Sequence, residues 1–138
     1  MSNGLGQRIG PLGGILKQNN AGRLAAGTTG GNDLLHTMPT GRTARIVKIM
    51  AYNPGGANAL LQFGTLDRNP AGAAFVQLLP IFVAIAGLDN EWLETEIPFV
   101  EFASDTTPTV AGRTGDIYVL EAGALAVDVI LEIEEFGA

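Results

Sequence analysis

The hydroxyl and imidazole chemistry open to this 138-residue chain is narrow: it holds one histidine, His36, two serines, Ser2 and Ser104, and no cysteine. A nucleophilic triad needs a Ser or Cys, a base and a group to orient the base. Neither serine sits in a nucleophile-elbow pattern. His36 lies within Leu34-Leu35-His36-Thr37-Met38, read as an early strand or its end, where a hydrogen-bonded or exposed imidazole is expected instead of a catalytic one.

Two other patterns invite a chemical reading. Gly4, Gly6 and Gly10 are spaced G-x-G-x-x-x-G with no strand before them, which is not a dinucleotide loop, and no Gly-Lys-Ser or Gly-Lys-Thr of a P-loop occurs. Acidic residues gather at Asp89, Glu91, Glu94 and Glu96, and again at Glu132, Glu134 and Glu135. The first group offers oxygen ligands for a hard cation such as calcium at Asp89 and Glu91. It lacks the alternating Asp and Asn around a central Gly that marks the best-known calcium loop, so a solvated charged face is expected of both groups. Carboxylate pairs for glycoside hydrolysis are not readable from sequence, and one Trp with two Tyr makes thin aromatic lining for a sugar cleft. Trp92 is expected to cap the core as readily as to bind a ligand. No enzyme activity and no cofactor are expected.

Composition narrows the partners. The formal charge is −6 and the pI about 4.6, with 16% charged and 46% hydrophobic residues. Phosphate backbones select clustered Lys and Arg, so nucleic acid is not an expected partner. Without cysteine there are no disulfides or thiolate metal sites, and stability must come from packing and subunit contacts. The opening residues lack the basic start and apolar run of a secretory signal, so export by the general pathway is not expected. The uncharged stretch from Ala71 to Leu88 is about as long as the shortest spanning helix, but Gln77 and Pro80 interrupt it and acidic residues follow. Two buried strands split at Pro80, over residues 75–79 and 81–85, account for it without a membrane.

The elements that must position these residues fall into two parts. Residues 1–31 contain nine Gly, three basic residues and no acidic one, while residues 32–138 carry five basic and fourteen acidic residues. The first part is thus +3 and the second −9. Glycine at that density raises the entropy cost of ordering, and the apolar residues among the first 31 follow no helical or strand period. A mobile N-terminal arm (1–31) that orders on a neighbouring subunit is expected, ahead of a body (32–138). Its expected assembly contacts are Leu5, Arg8, Ile9, Leu12, Ile15, Leu16, Lys17, Arg23 and Leu24, the cations meeting an acidic neighbour.

The body reads as short strands between turns. Residues 43–52 are β-branched and apolar, and Asn53-Pro54-Gly55-Gly56 stops them. Residues 58–63 follow, then the pair around Pro80, then residues 97–103, where Pro98 points to an edge. Residues 116–122 and 125–135 are expected to pair as a tight hairpin across Gly123-Ala124. In the last strand Leu125, Val127, Val129, Leu131 and Ile133 share one face, with Asp128, Glu132 and Glu134 on the other. Seven to nine strands without an amphipathic helix predict an all-β fold, an antiparallel β-sandwich or jelly roll with an extended N-terminal arm.

The stretches Thr43–Pro54, Leu61-Gln-Phe-Gly-Thr65 and Gly115-Asp-Ile-Tyr-Val119, together with the arm, the acidic balance and the absence of Cys, resemble the small β-sandwich decoration or cement proteins of tailed-phage and related virions. The resemblance is one of general character. It implies a structural homo-oligomer, a trimer or higher assembly, that contacts a major capsid protein or other shell protein in a virion assembled in the host cytoplasm. It implies no site residue. Two further readings are a fibre or tube subunit whose arm reaches into the next body, and a jelly-roll carbohydrate or ligand module using Trp92, Tyr52 or Tyr118.

Overall fold

A computed structural model describes residues 8–23, 32–39, 41–66, 75–86, 90–93, 100–103, 115–121, 123 and 125–137. Eleven strands are formed by these residues: β1 (Arg8–Ile9), β2 (Ile15–Arg23), β3 (Asn32–His36), β4 (Arg42–Tyr52), β5 (Ala59–Leu66), β6 (Phe75–Gln77), β7 (Phe82–Ala84), β8 (Asn90–Leu93), β9 (Phe102–Ala103), β10 (Ile117–Glu121) and β11 (Asp128–Gly137). One sheet has the order β1-β2-β11-β4-β8, with β9 also on β4; the other has the order β3-β10-β5-β6, with β7 also on β5. Every pairing is antiparallel.

The pairings nest. β2 pairs β11, β3 pairs β10, β4 pairs β8 and β9, and β5 pairs β6 and β7. The chain therefore runs out and back as one long folded hairpin divided between two antiparallel sheets, a β-sandwich. The all-β sandwich expected from the sequence is the observed fold.

Alternation builds the core. Val127, Val129, Leu131 and Ile133 of the last strand and its approach are buried, as are Ala44, Ile46, Ile49 and Ala51 of β4, Leu61 and Phe63 of β5, and Ile117 and Val119 of β10. The buried positions of β4 change phase between Ile46 and Ile49 because an extra residue, Val47, interrupts the register with β11. Gly64 is fixed by crowding: a Cβ there would stand 2.0 Å from the Val76 carbonyl oxygen on β6.

The uncharged stretch around Pro80 forms strands, as its composition predicts, but they lie at a sheet edge and are not the buried pair expected, since Ile81, Val83 and Ile85 face out. β6 and β7 together make one interrupted edge strand along β5. The break is a bulge in which Leu78 and Leu79 both donate to the Phe63 carbonyl, at 3.0 and 3.2 Å. Pro80 follows the bulge, where no ladder donor is needed. Phe82 returns inward and meets Phe63 edge-to-face with centroids 5.9 Å apart. No helix among the described residues is long and apolar enough to cross a membrane.

One expectation fails. β10 and β11 do not form a hairpin, because both sides of β10 are already occupied by β3 and β5 and β11 enters the other sheet between β2 and β4. The connection is a crossover between sheets. It is held by the buried Glu121 carboxylate, which accepts the backbone N–H of Gly123 at 2.7 Å and of Leu125 at 3.0 Å.

Candidate assembly surfaces

The three glutamates near the C-terminal end of β11 receive the N-terminal segment. β1 and β2 form a hairpin with Arg8 opposite Leu16 and Ile9 opposite Ile15, and β2 then lies along β11 from Ile15–Glu135 to Arg23–Asp128. Residues 8–23 thus pair with β11 of their own chain, where the sequence suggests an arm that orders on a neighbour. The boundary drawn at residue 31 does not divide the sheet. The charge match between basic arm and acidic body is made within one chain.

Glu134 sits on the outer side of β11, yet it is fully buried. The Gly10–Gly14 loop covers it. Gly10 N–H donates to the Gly14 carbonyl at 2.7 Å and Gly13 N–H to the Gly10 carbonyl at 3.0 Å, with Gly13 at φ 81°. The folded loop aims the N–H groups of Leu12 and Gly14 at Glu134 Oε2, both at 3.0 Å, while Arg45 Nε on β4 donates to Oε1 at 3.0 Å. Convergent backbone N–H groups in such a turn make an anion-binding concavity. The glycines are required by proximity: a Cβ on Gly10 would lie 2.3 Å from Glu134 Cδ, and one on Gly14 would lie 2.5 Å from the Glu135 carbonyl oxygen.

Glu135 closes the end of the core and is likewise buried. Lys17 Nζ from β2 donates to its Oε1 at 2.9 Å, His36 Nε2 from β3 lies 2.5 Å from its Oε2, and Arg42 of β4 stands 3.7 Å from Oε1. Three strands from both sheets therefore meet at one carboxylate. Glu132 meets Arg8 at the exposed margin. Burial pushes the Glu134 carboxyl upward, but the hydrogen bonds from Arg45, Gly14 and Leu12 and the Arg45 charge outweigh it and hold it below the usual range. The same balance lowers Glu135, where burial is opposed by the hydrogen bonds and charges of Lys17 and His36. The solvated face expected at 132–135 is therefore a buried carboxylate clasp, and His36 belongs to it.

Of the expected contact residues, Arg8 and Lys17 enter the clasp, Ile15 and Leu16 are half-buried, and Ile9 and Leu12 stand exposed at 68% and 53%. Arg23 is opposite Asp128, its side chain outside the description. Leu5 and Leu24 lie outside the described residues, as do Asp89, Glu94 and Glu96, Pro98, Ser2, Ser104 and the side chains of Glu91 and Trp92. Among the described residues no group of His, Cys, Asp or Glu is arranged to hold a metal ion.

A second surface was missed by sequence reasoning. Leu60 and Val83 are cross-strand partners on β5 and β7, exposed at 47% and 42%. Ile81 and Ile85 alternate with Val83 and are also exposed. The four make an apolar stripe on the outside of the β3-β10-β5-β6 sheet, at its edge, and three of them lie in the stretch from Ala71 to Leu88 that carries no charge. Residues 81–85 are apolar at every position, so residue type does not tell inward from outward, and only the two-residue period of an edge strand puts Ile81, Val83 and Ile85 on one side.

Scans of protein-family models, curated proteins and solved structures return no match to this chain.

Proposed function

We propose that this protein is a non-enzymatic structural subunit that assembles with copies of itself, of the kind that decorates or cements a virion shell. The observation that carries this reading is the uncharged stripe of Leu60, Ile81, Val83 and Ile85 at the sheet edge. Contiguous apolar side chains on a soluble body mark a contact surface when they gather instead of scattering. The charge of −6 makes copies repel elsewhere, so close approach is cheapest where no charge must be desolvated.

Two further features support it. The polar groups that sequence alone offers to chemistry, His36 and Glu132, Glu134 and Glu135, are engaged in holding strands together. The two-sheet antiparallel sandwich is an architecture shared by capsid and lectin domains, and the architecture by itself does not choose between them. The stripe, with aliphatic residues and no aromatic platform, favours a protein neighbour over a sugar.

The test is Val83→Lys, which places a cation in the centre of the stripe without touching the inward-facing side chains. Light scattering at matched concentration should show the native particle size falling towards the single chain, with the β-sheet circular dichroism unchanged. An unchanged particle size would remove the stripe from the assembly and with it the basis of the proposal.

A further inference from the structure

The described side chains of the β1–β2 hairpin attach it through polar groups. No described side chain of residues 8–18 belongs to the buried core or packs directly against it. Its described fastenings are the β2–β11 ladder, two N–H groups on Glu134, the Arg8 and Lys17 cations on Glu132 and Glu135, and the approach of β2 to β3. These polar groups are ones that water also satisfies, so lifting residues 8–18 returns ions and backbone to solvent without drawing a described side chain of theirs out of the apolar core.

What the lifted hairpin would uncover is a specific receptor. β11 would present one side of a ten-residue strand, Asp128–Gly137, as an unpaired edge, with the Glu134 and Glu135 carboxylates beside it. An unpaired edge of that length is a template for another strand. The complement it selects is demanding: a strand preceded by a tight glycine turn with two N–H groups pointing at one carboxylate, a cation two residues into the strand, and no side chain at the position of Gly10. Every copy of this chain carries that complement at residues 8–23. Residues 24–31 separate β2 from β3 in the sequence, eight positions that span at most about 26–29 Å when extended.

We propose that the β1–β2 hairpin is an exchangeable element, closing on β11 of its own chain or on β11 of a second copy, so that the same clasp that completes one body joins two. This rests on the assembly reading above and gives it a joint separate from the apolar stripe. Exchange of an identical element between copies makes every cis contact again in trans and needs no new surface.

The absence of native cysteine makes the test clean. Gln18 and Glu132 are directly opposite across β2 and β11. Opposed positions in antiparallel strands stand within disulfide reach. A full-length chain carrying Gln18→Cys is mixed in equal amount with one carrying Glu132→Cys, incubated at assembling concentration and oxidised. Exchange predicts a mixed disulfide on a non-reducing gel, approaching about half of the chains at full scrambling between pairs. Adding Glu134→Gln to both chains should speed its appearance several-fold, because the clasp that holds the hairpin at home is weakened.

A single chain with both cysteines is the control and should close within itself. If that control closes while the mixture gives no mixed disulfide, exchange is overturned, whatever the particle size. Particles that form without the mixed disulfide would leave assembly through the stripe standing and remove only the exchange. A mixture that stays monomeric with no mixed disulfide would count against both.

Discussion

Gly10 and Glu134 are in such close approach that a single methyl group at residue 10 would overlap the carboxyl carbon, at 2.3 Å. The two residues are 124 positions apart, and the loop that joins them explains why positions 10 and 14 are glycine. The loop is tight because it must close around a side chain, and the side chain is ionised because the loop and Arg45 supply its donors.

Gly10→Ala should therefore destabilise the protein well beyond the ordinary propensity difference. Either the loop lifts from Glu134 or Glu134 leaves its donors, and each outcome forfeits hydrogen bonds to a charged group, so a loss of about 2 kcal/mol is expected. Urea unfolding measures it. Gly13→Ala tests a different cause, because open space surrounds Gly13 but its φ is 81°; a smaller loss of about 1 kcal/mol is expected.

Acid should loosen the same region. Glu134 and Glu135 titrate below their ordinary value of 4.5 in the folded protein, so the unfolded chain binds the more protons below that pH. Their stabilising contribution is fully present above the ordinary value and is lost as pH falls through the lowered folded values. Stability should be flat on this account above about pH 5.5 and decline below about pH 4.5. The protection of residues 12–18 against hydrogen exchange, relative to the intrinsic rate at each pH, should fall in step. Glu134→Gln should flatten part of the acid decline while lowering stability at neutral pH by about 2 kcal/mol.

Asn53 links the turn after β4 to the strand that bears the apolar stripe. Its Nδ2 donates to the carbonyls of Ala57 and Ala84, both at 2.9 Å, and its Oδ1 accepts the Gly55 N–H at 3.0 Å, all from a fully buried position. Asn53→Ala leaves those groups without their partner and should cost about 2 kcal/mol. Because Ala84 adjoins Val83, it should also weaken assembly; a thermal melt and particle size measured together separate the two effects.

Glu121→Ala should destabilise the crossover. The buried carboxylate holds the N–H groups of Gly123 and Leu125, and removing it leaves both donors short of a partner, for an expected loss of about 2 kcal/mol. Glu121→Gln retains an acceptor and should recover about half of that loss. Equal loss in both variants would mean that the charge, and not the acceptor, holds the connection.

Much of the sandwich was legible because its signals are local. The β-branched run at 43–52, the stop at Asn53-Pro54, the split at Pro80 and the alternation of Val127 to Ile133 each mark a strand or its end by period and turn chemistry. The hairpin expected at Gly123-Ala124 was wrong because turn residues show that the chain turns, not which sheet the next strand enters. The burial of Glu134 and Glu135 was not legible for a related reason: alternation places Glu134 on the outer face, and nothing near it says that residues 10–14 arrive to cover it. The same residues gave no period in the N-terminal segment because their order comes from a carboxylate at the far end of the chain.

This 14.4 kDa chain is proposed to be a unit of something larger. Sedimentation velocity of the native full-length chain across a hundredfold concentration range tests it most directly. The account predicts species at multiples of the chain mass that grow with concentration and shrink with Val83→Lys. A single 14.4 kDa species at every concentration would contradict it.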